Sequence, residues 1–495
     1  MSMSDYEFWF IVGSQTLYGE DVLKTVESRA REMCQVMNEG GILPCRLVFK
    51  TIGYSSEDIE KAMEEANVDP RCAGVVTWCH TFSPSKMWIH GFNKLQKPYC
   101  HFATQYNRNI PNEEIDMDFM NLNQAAHGDR EHGFIGARMR MPRKVVTGYW
   151  KDAPVQKEIA DWMRAAVGYA FSQKLTVVRF GDNMRDVAVT EGDKVEAEIK
   201  LGWKVDYWPV GHLVETMDQV TDKEVQDKYD EYMSRYDVAT DNLEAIRYQA
   251  REEVAMRKIL DREGAKAFIN TFQDLYGMRQ LPGLASQNMM ADGYGYGGEG
   301  DWKVSAMTAI VKAMAEGMED QGVTFMEDYT YDLEPGKEVS LGAHMLEVCP
   351  SVASAKPRIE THYLGIGMNA EDPARLVFEG KAGDGIVVSL IDMGGRFRLI
   401  IQDITCIKPI YDMPNLPVAR VMWRAKPDLL TGLKCWITCG GAHHTVLTTA
   451  VSAQMMMDWA EMMQIECVHI TEKTTVEDLK KELFYNDVAW KLKSL

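Results

Sequence analysis

The run EFWFIVG at residues 7–13 is apolar almost without a break, which is the pattern of a strand buried on both faces. The period then changes. Over Glu20–Asn38, Val22, Leu23, Val26, Ala30, Met33, Val36 and Met37 trace one face at helical spacing. The rhythm repeats as strand LPCRLVFK, helix Ser56–Asn67 with acids in its first turn, strand AGVVTWCH, helix SPSKMWIHGFNKL and strand KPYCHFAT. Strands alternating with helices predict a parallel sheet in a doubly wound α/β domain. Ligands of such sheets sit beyond the carboxyl ends of the strands. Topology alone therefore places Gly13-Ser14-Gln15, His80-Thr81-Phe82 and Thr104-Gln105 on one binding rim.

A helical run, Val155–Ser172, closes this part, and a second α/β unit begins near Lys174 with the strand LTVVRFGDN. Strands WKVDYW and AKAFINTF continue it, separated by the heavily charged stretch Asp222–Glu263, which reads as a long helical region forming a solvated face or an oligomer contact. After the helix Lys303–Gly317 the character changes. Short strands set between Gly, Pro and Asp turns dominate (KEVSLGAHMLEV, GIVVSLID, RFRLIIQDITCI, LPVARVMWRA), as in an antiparallel barrel or sandwich. A tail of helix AVSAQMMMDWAEMM, strand IECVHI and helix TVEDLKKEL returns to α/β. The chain thus divides into 1–173, 174–320 and 321–495, with no repeat and no long linker between the parts.

Composition narrows the function classes. The 495 residues are 46% hydrophobic and 26% charged, ordinary for a soluble globular chain of several domains. A net charge of −19, with lysines and arginines interleaved among acids, argues against nucleic acid or an anionic membrane as partner. The N-terminus carries no positive region, and its apolar run is too short for a signal peptide or a membrane span. Ten scattered cysteines form no disulfide framework, and Cys435 and Cys439 are not spaced as CxxC; the expected home is reducing and cytoplasmic.

Chemistry gathers late in the chain. Glu299 stands between glycines in GYGYGGEGDW, Glu327 precedes Asp328 in FMEDY, His344 sits among small and apolar residues, and His443 and His444 are adjacent in GGAHHT. Two carboxylates with two imidazoles suit a divalent ion that takes mixed oxygen and nitrogen ligands, such as Mn²⁺. Taken singly, each acid also reads as a solvated loop residue and each histidine as a satisfied core residue. Gly293-x-Gly295-x-x-Gly298 matches the dinucleotide fingerprint, but that motif requires a strand ahead of it, and the preceding LASQNMMAD looks helical. Glu299 would also repel the phosphates, so the expectation is no nucleotide cofactor. The glycines serve better to let backbone pass close to a site and aim Glu299 into it. Gln124 and His127, at i and i+3, suit hydrogen bonding to hydroxyls or helix capping; Met184 and Arg185, Phe82 and Phe272 could border a small-molecule pocket or simply pack.

The runs FWFIVGSQTLYG, HTFSPSKMWI, DMDFMNLNQAAHG, FIGARMR, RFGDNMR, GEGDWK, FMEDYTY, HMLEVCPS, HYLGIGM, DPARLVF and GGAHHT, in that order from residue 8 to residue 445, closely resemble L-arabinose isomerase. The resemblance implies two successive doubly wound (Rossmann-like) α/β domains and a C-terminal domain containing an antiparallel β-barrel, assembled as a homohexamer with active sites at subunit interfaces. It implies conversion of L-arabinose to L-ribulose, and of D-galactose to D-tagatose, with one Mn²⁺ per subunit. The ion's ligands would be Glu299, Glu327, His344 and His444, with Glu299 and Glu327 also the acid/base pair. Substrate contacts would be Gln15, Leu17, Phe82, Gln124, His127, Met184, Phe272 and His443. HYLGIGM departs from the family's HLGIGG at the edge of the sugar pocket. An L-fucose isomerase-like enzyme and a non-catalytic sugar-binding protein are the rival readings; a substrate assay separates the first and metal analysis the second.

Overall fold

The apolar run at the N-terminus becomes an interior strand of a parallel sheet, every residue after Glu7 buried. The computed structural model describes residues 1–365 and 370–493; residues 366–369, which include part of the HYLGIGM run, lie outside the described residues. The described chain separates into two compact units, Met1–Ala170 with Met457–Gln464, and Phe171–Met456 with Ile465–Leu495.

In the first unit, strands β1 (Glu7–Gly13), β2 (Arg46–Gly53), β3 (Cys72–Cys79), β4 (Tyr99–Ala103) and β5 (Lys144–Thr147) form one parallel sheet in the order β2-β1-β3-β4-β5. The crossover helices follow their apolar spacing. Helix Glu20–Glu39 buries Val26, Ala30, Met33 and Met37, and helix Ser56–Val68 is started by the Ser55 hydroxyl, which accepts from the Asp58 N–H. The segment SPSKMWIHGFNKL is not one helix; a 3₁₀ turn at Ser85–Trp88 leads into a short helix, Ile89–Lys94. Strand order reverses between β1 and β3, so a crevice opens beyond their carboxyl ends. There the Ser14 and Thr81 hydroxyls share a hydrogen bond of 2.8 Å.

His80 lies in the same crevice, 1% exposed, its ring stacked on Trp78 and its Nε2 accepting from the Arg29 guanidinium at 3.1 Å. Burial, reinforced by the Arg29 charge, pulls its pKa down to about 4. Below the ordinary histidine value the unfolded chain binds a proton that the folded chain refuses, so stability is lost as pH falls from about 6.5 through 4. The expected loss is up to about 3 kcal/mol. Denaturant unfolding followed from pH 7 to pH 4 should show it, and His80→Gln should flatten that dependence by a similar amount.

The second unit begins with β6 (Thr176–Phe180), β7 (Lys204–Trp208), β8 (Asp237–Val238), β9 (Ala267–Ile269) and β10 (Gly295–Gly297). All but β8 form a parallel sheet in the order β10-β9-β6-β7, with its switch point between β6 and β9. AKAFINTF is a strand only as far as Ile269, because the Asn270 carbonyl turns away to accept the Gly300 N–H.

Asp222–Glu263 is two helices rather than one region, Asp222–Arg235 and Leu243–Glu263, broken where β8 pairs with a later strand. It is not merely a solvated face: the second helix buries Gln249, Glu252 and Glu253 among its apolar residues. Abundant charge misleads here because several of these charges pair with one another inside the fold.

The β-rich part comprises β11 (Val323–Asp332), β12 (Val339–Ala343), β13 (Arg358–Thr361), β14 (Ala374–Val377), β15 (Gly383–Asp392), β16 (Phe397–Ile407), β17 (Arg420–Ala425), β18 (His444–Thr448) and β19 (Glu466–Ile470). Antiparallel pairings run β15-β18-β11-β12-β17-β16 and return from β16 to β15, with β19 added in parallel to β16. A small three-stranded sheet, β14-β13-β8, stands beside this circuit. Two doubly wound α/β parts followed by a β-rich part is the fold class that the sequence pattern predicts.

Candidate active site

In the second unit, three loops leave the carboxyl ends of β6, β9 and β10. They carry Met184, Phe272 and Glu299 respectively. The loops are tied together: the Met184 N–H donates to the Glu299 carbonyl at 2.9 Å, and Asn183 Nδ2 donates to the Gly300 carbonyl at 3.1 Å. Glu299 itself has φ +56, a left-handed conformation that few residues other than glycine adopt. The glycine before it has a separate reason. A Cβ at Gly298 would stand 2.9 Å from Cε1 and Nε2 of His344, so only glycine admits that ring.

Strand register supplies the other donors. Glu327 in β11 is the direct partner of His444 in β18 and of Ala343 in β12, and His344 follows Ala343 at once. Donor atoms of Glu299, His344 and His444 consequently lie within 4.8 Å of one another, as do those of Glu327, His443 and His444. His344 Nε2 is 4.0 Å from Glu327, and His444 Nε2 is 3.7 Å from Glu299. Phe325 packs edge-on against both imidazoles, and Phe272 lies parallel to His344 at 6.0 Å. His443, more open to solvent than its neighbour, reaches Glu299 at 3.3 Å.

Each buried imidazole is oriented from behind by a carboxylate. His344 Nδ1–H donates to Glu347 at 2.5 Å, and the fully buried Glu347 also accepts from the Tyr296 hydroxyl at 3.0 Å and the Leu346 N–H at 3.0 Å. On the other side His444 Nδ1 faces Asp301 at 3.4 Å, while Asp301 also caps the helix Trp302–Ala315. Fixing Nδ1 in this way leaves each Nε2 pointing at the glutamates, the arrangement metal-binding histidines use. His444 Nε2 is buried and has no hydrogen-bond partner. An orphaned nitrogen facing a carboxylate across 3.7 Å fits a cation held between them.

The electrostatics agree. A hydrogen bond from His443 lowers the Glu299 pKa, with help from the charges of His444 and His344. Burial lowers that of His444, keeping it neutral and able to donate a lone pair. For His344, burial pulls downward but the charges of Glu347, Glu327 and Glu299 more than reverse it. A site that draws a proton onto a buried imidazole is one that favours positive charge, whether a proton or a metal ion.

The remaining expected residues lie in the first unit. Gln15 precedes a 3₁₀ turn, Thr16–Tyr18, on which Leu17 is 78% exposed. Phe82 meets the His127 ring edge-on at 6.3 Å; Gln124 stands at the start of helix Ala125–Arg138, its Oε1 3.4 Å from both the Tyr18 hydroxyl and His127 Nδ1. These five therefore share the rim beyond the carboxyl ends of the first sheet.

Three family models match in succession: the L-arabinose isomerase N-terminal domain at residues 2–174, its central domain at 176–317 and its C-terminal domain at 322–466. The L-arabinose isomerase of Geobacillus stearothermophilus is 52% identical over 497 residues, covering 99% of each chain. That of Thermotoga maritima is 51% identical over 494 residues, again 99% of each. The chain belongs to the L-arabinose isomerase family. It is accordingly an isomerase, and the matched central and C-terminal domains of the family carry every residue of the carboxylate–imidazole cluster.

Asp301 and Glu347 are the residues that motif reading passed over. Both lie inside quoted runs, GEGDW and HMLEV, and Glu347 stands three residues after a histidine, a separation that lets a turn bring carboxylate and imidazole together. Among the described residues no helix is long and apolar enough to cross a membrane.

Proposed function

We propose that this enzyme converts L-arabinose to L-ribulose through an enediol, with D-galactose to D-tagatose as a second activity. The observation that carries the reading is the convergence of Glu299, Glu327, His344 and His444, with one imidazole nitrogen buried and unpartnered. Those four side chains would hold Mn²⁺, one ion per subunit. When bound, the ion supplies Lewis acidity and a template for the two sugar oxygens at which charge develops.

The proton work falls to the chain. Moving a carbonyl from C1 to C2 takes a proton from one carbon and delivers one to the next. Glu299 and Glu327, each grouped with His444, would exchange those roles. His443, bonded to Glu299, keeps that carboxylate ionised and ready to accept. Met184 and Phe272 border the same cluster, where they would exclude water from the sugar. The test is ketose formation from L-arabinose, D-galactose and L-fucose after chelation, with and without added Mn²⁺. Metal-restored turnover of L-arabinose above L-fucose is expected; equal turnover without metal would overturn the reading.

The same reading takes 1–173, 174–320 and 321–495 as the three domains and places the enzyme in the cytoplasm as a homohexamer. Gln15, Leu17, Phe82, Gln124 and His127 would then reach the sugar of a neighbouring protomer. Mixing inactive His127→Ala and Glu299→Gln chains tests this, since one interface would pair two intact halves. Partial recovery of activity is expected, and none in verified mixed oligomers would place the whole site within one chain.

A further inference from the structure

We propose that Cys79, His101 and Asp129, in the first unit, form a separate cation site for a soft or borderline divalent ion of the Zn²⁺ class. Cys79 ends β3, His101 lies in β4, and Asp129 is in the first turns of helix Ala125–Arg138. One donor atom from each lies within 4.8 Å of the other two. The ligand atoms of a tetrahedral zinc stand roughly 3.3–3.6 Å apart, so the set closes on an ion by side-chain shifts of about 1 Å.

Three features separate this cluster from an ordinary ion pair. First, His101 is oriented from behind: its Nδ1 bonds the Thr77 hydroxyl at 2.9 Å, and its Nε2 faces Asp129 at 3.0 Å. The hydroxyl can accept as well as donate, so His101 can carry its proton on Nδ1 and offer Nε2 as a lone pair. Second, the Cys79 thiol is fully enclosed beside a carboxylate. Helix Ala125–Arg138 presses on it so closely that a Cβ at Gly128 would stand 2.4 Å from the Cys79 Cβ. Burial and the Asp129 charge both hold the thiol protonated, a penalty that a cation between the two groups would reverse. Third, a cavity of about 180 Å³ is lined by His101, Asp129 and His132 but not by the enclosed Cys79, so solvent reaches two of the three donors and a water can complete the ligand set from their side. Arg130 and Arg143 at the cavity wall oppose entry of a cation, which limits affinity without changing the donor set.

Softness divides the two donor sets. Thiolate with imidazole and one carboxylate favours Zn²⁺, Cd²⁺ or Co²⁺, whereas Glu299, Glu327, His344 and His444 offer no sulfur and suit a harder ion. Loading the cysteine site releases the thiol proton and leaves carboxylate and imidazole in their usual ligand forms.

Co²⁺ titrated into the full-length, Mn²⁺-loaded protein tests this, because only a thiolate ligand gives a sulfur-to-cobalt charge-transfer band in the near ultraviolet. The band should saturate at about one equivalent per chain. It should vanish in Cys79→Ser, and Asp129→Asn, at a partly exposed position, should weaken Co²⁺ at least about tenfold. Circular dichroism of each variant establishes that it is folded. Absence of the band in folded wild-type protein overturns the site, as does a band unchanged in Cys79→Ser. Unchanged affinity in Asp129→Asn removes the carboxylate and with it the three-ligand assignment.

Discussion

Glu299→Gln and Glu327→Gln are each expected to lower the rate of isomerisation by roughly 10²–10⁴-fold, with the protein still folded. An amide keeps the shape of the side chain but cannot accept a proton from carbon and return it. Glu299 should be the more damaging position, since its carboxylate also receives His443 at 3.3 Å and faces the unpartnered nitrogen of His444. Both side chains are also candidate ligands, so metal content must be measured beside turnover. If a Gln variant carries its full metal and turns over like the wild type, that carboxylate does not move the proton. A variant that recovers with excess Mn²⁺ acted as a ligand alone.

Glu253→Gln is expected to destabilise the protein by about 3 kcal/mol, the lower end of what breaking a buried ion pair costs. Glu253 is completely buried and accepts from Lys228 at 3.0 Å, the Arg257 guanidinium at 2.7 Å, the Tyr232 hydroxyl at 2.5 Å and Asn288 Nδ2 at 2.9 Å. Removing its charge leaves two cations inside the fold with less to balance them. The loss is held to the lower end because Lys228 keeps Glu231 at 2.5 Å and Arg257 keeps Asp292 at 2.6 Å. Denaturant midpoints of variant and wild type at constant metal and protein concentration measure it; a change under 1 kcal/mol would show that the two outer acids carry the balance.

This ion network is also the clearest place where the sequence misled. Charge density over Asp222–Glu263 reads as a solvated face or an oligomer contact, and the buried ion pairs escape that reading because a linear pattern records how many charges there are and not which of them meet. The bounds of the first helix were legible by contrast. Glu20–Asn38 is predicted and Glu20–Glu39 observed, since apolar spacing is a local signal. Strand lengths were less so: β9 and β12 stop at Ile269 and Ala343, where the backbone turns into the site instead of continuing its ladder.

By itself the sequence determined the alternation of strands and helices in two parallel-sheet parts, the change to antiparallel strands near residue 321, and the residue types available for chemistry. Each of these rests on neighbours within a few residues or on composition. Tertiary structure decided which of those residues meet. Glu299 and His444 are far apart in the chain, and what joins them is the register that sets Glu327 opposite His444, together with the glycine that lets His344 pass close to the Glu299 loop. The roles of Asp301 and Glu347 were decided there too, because a carboxylate orients an imidazole only once both are buried with the hydrogen bond between them made.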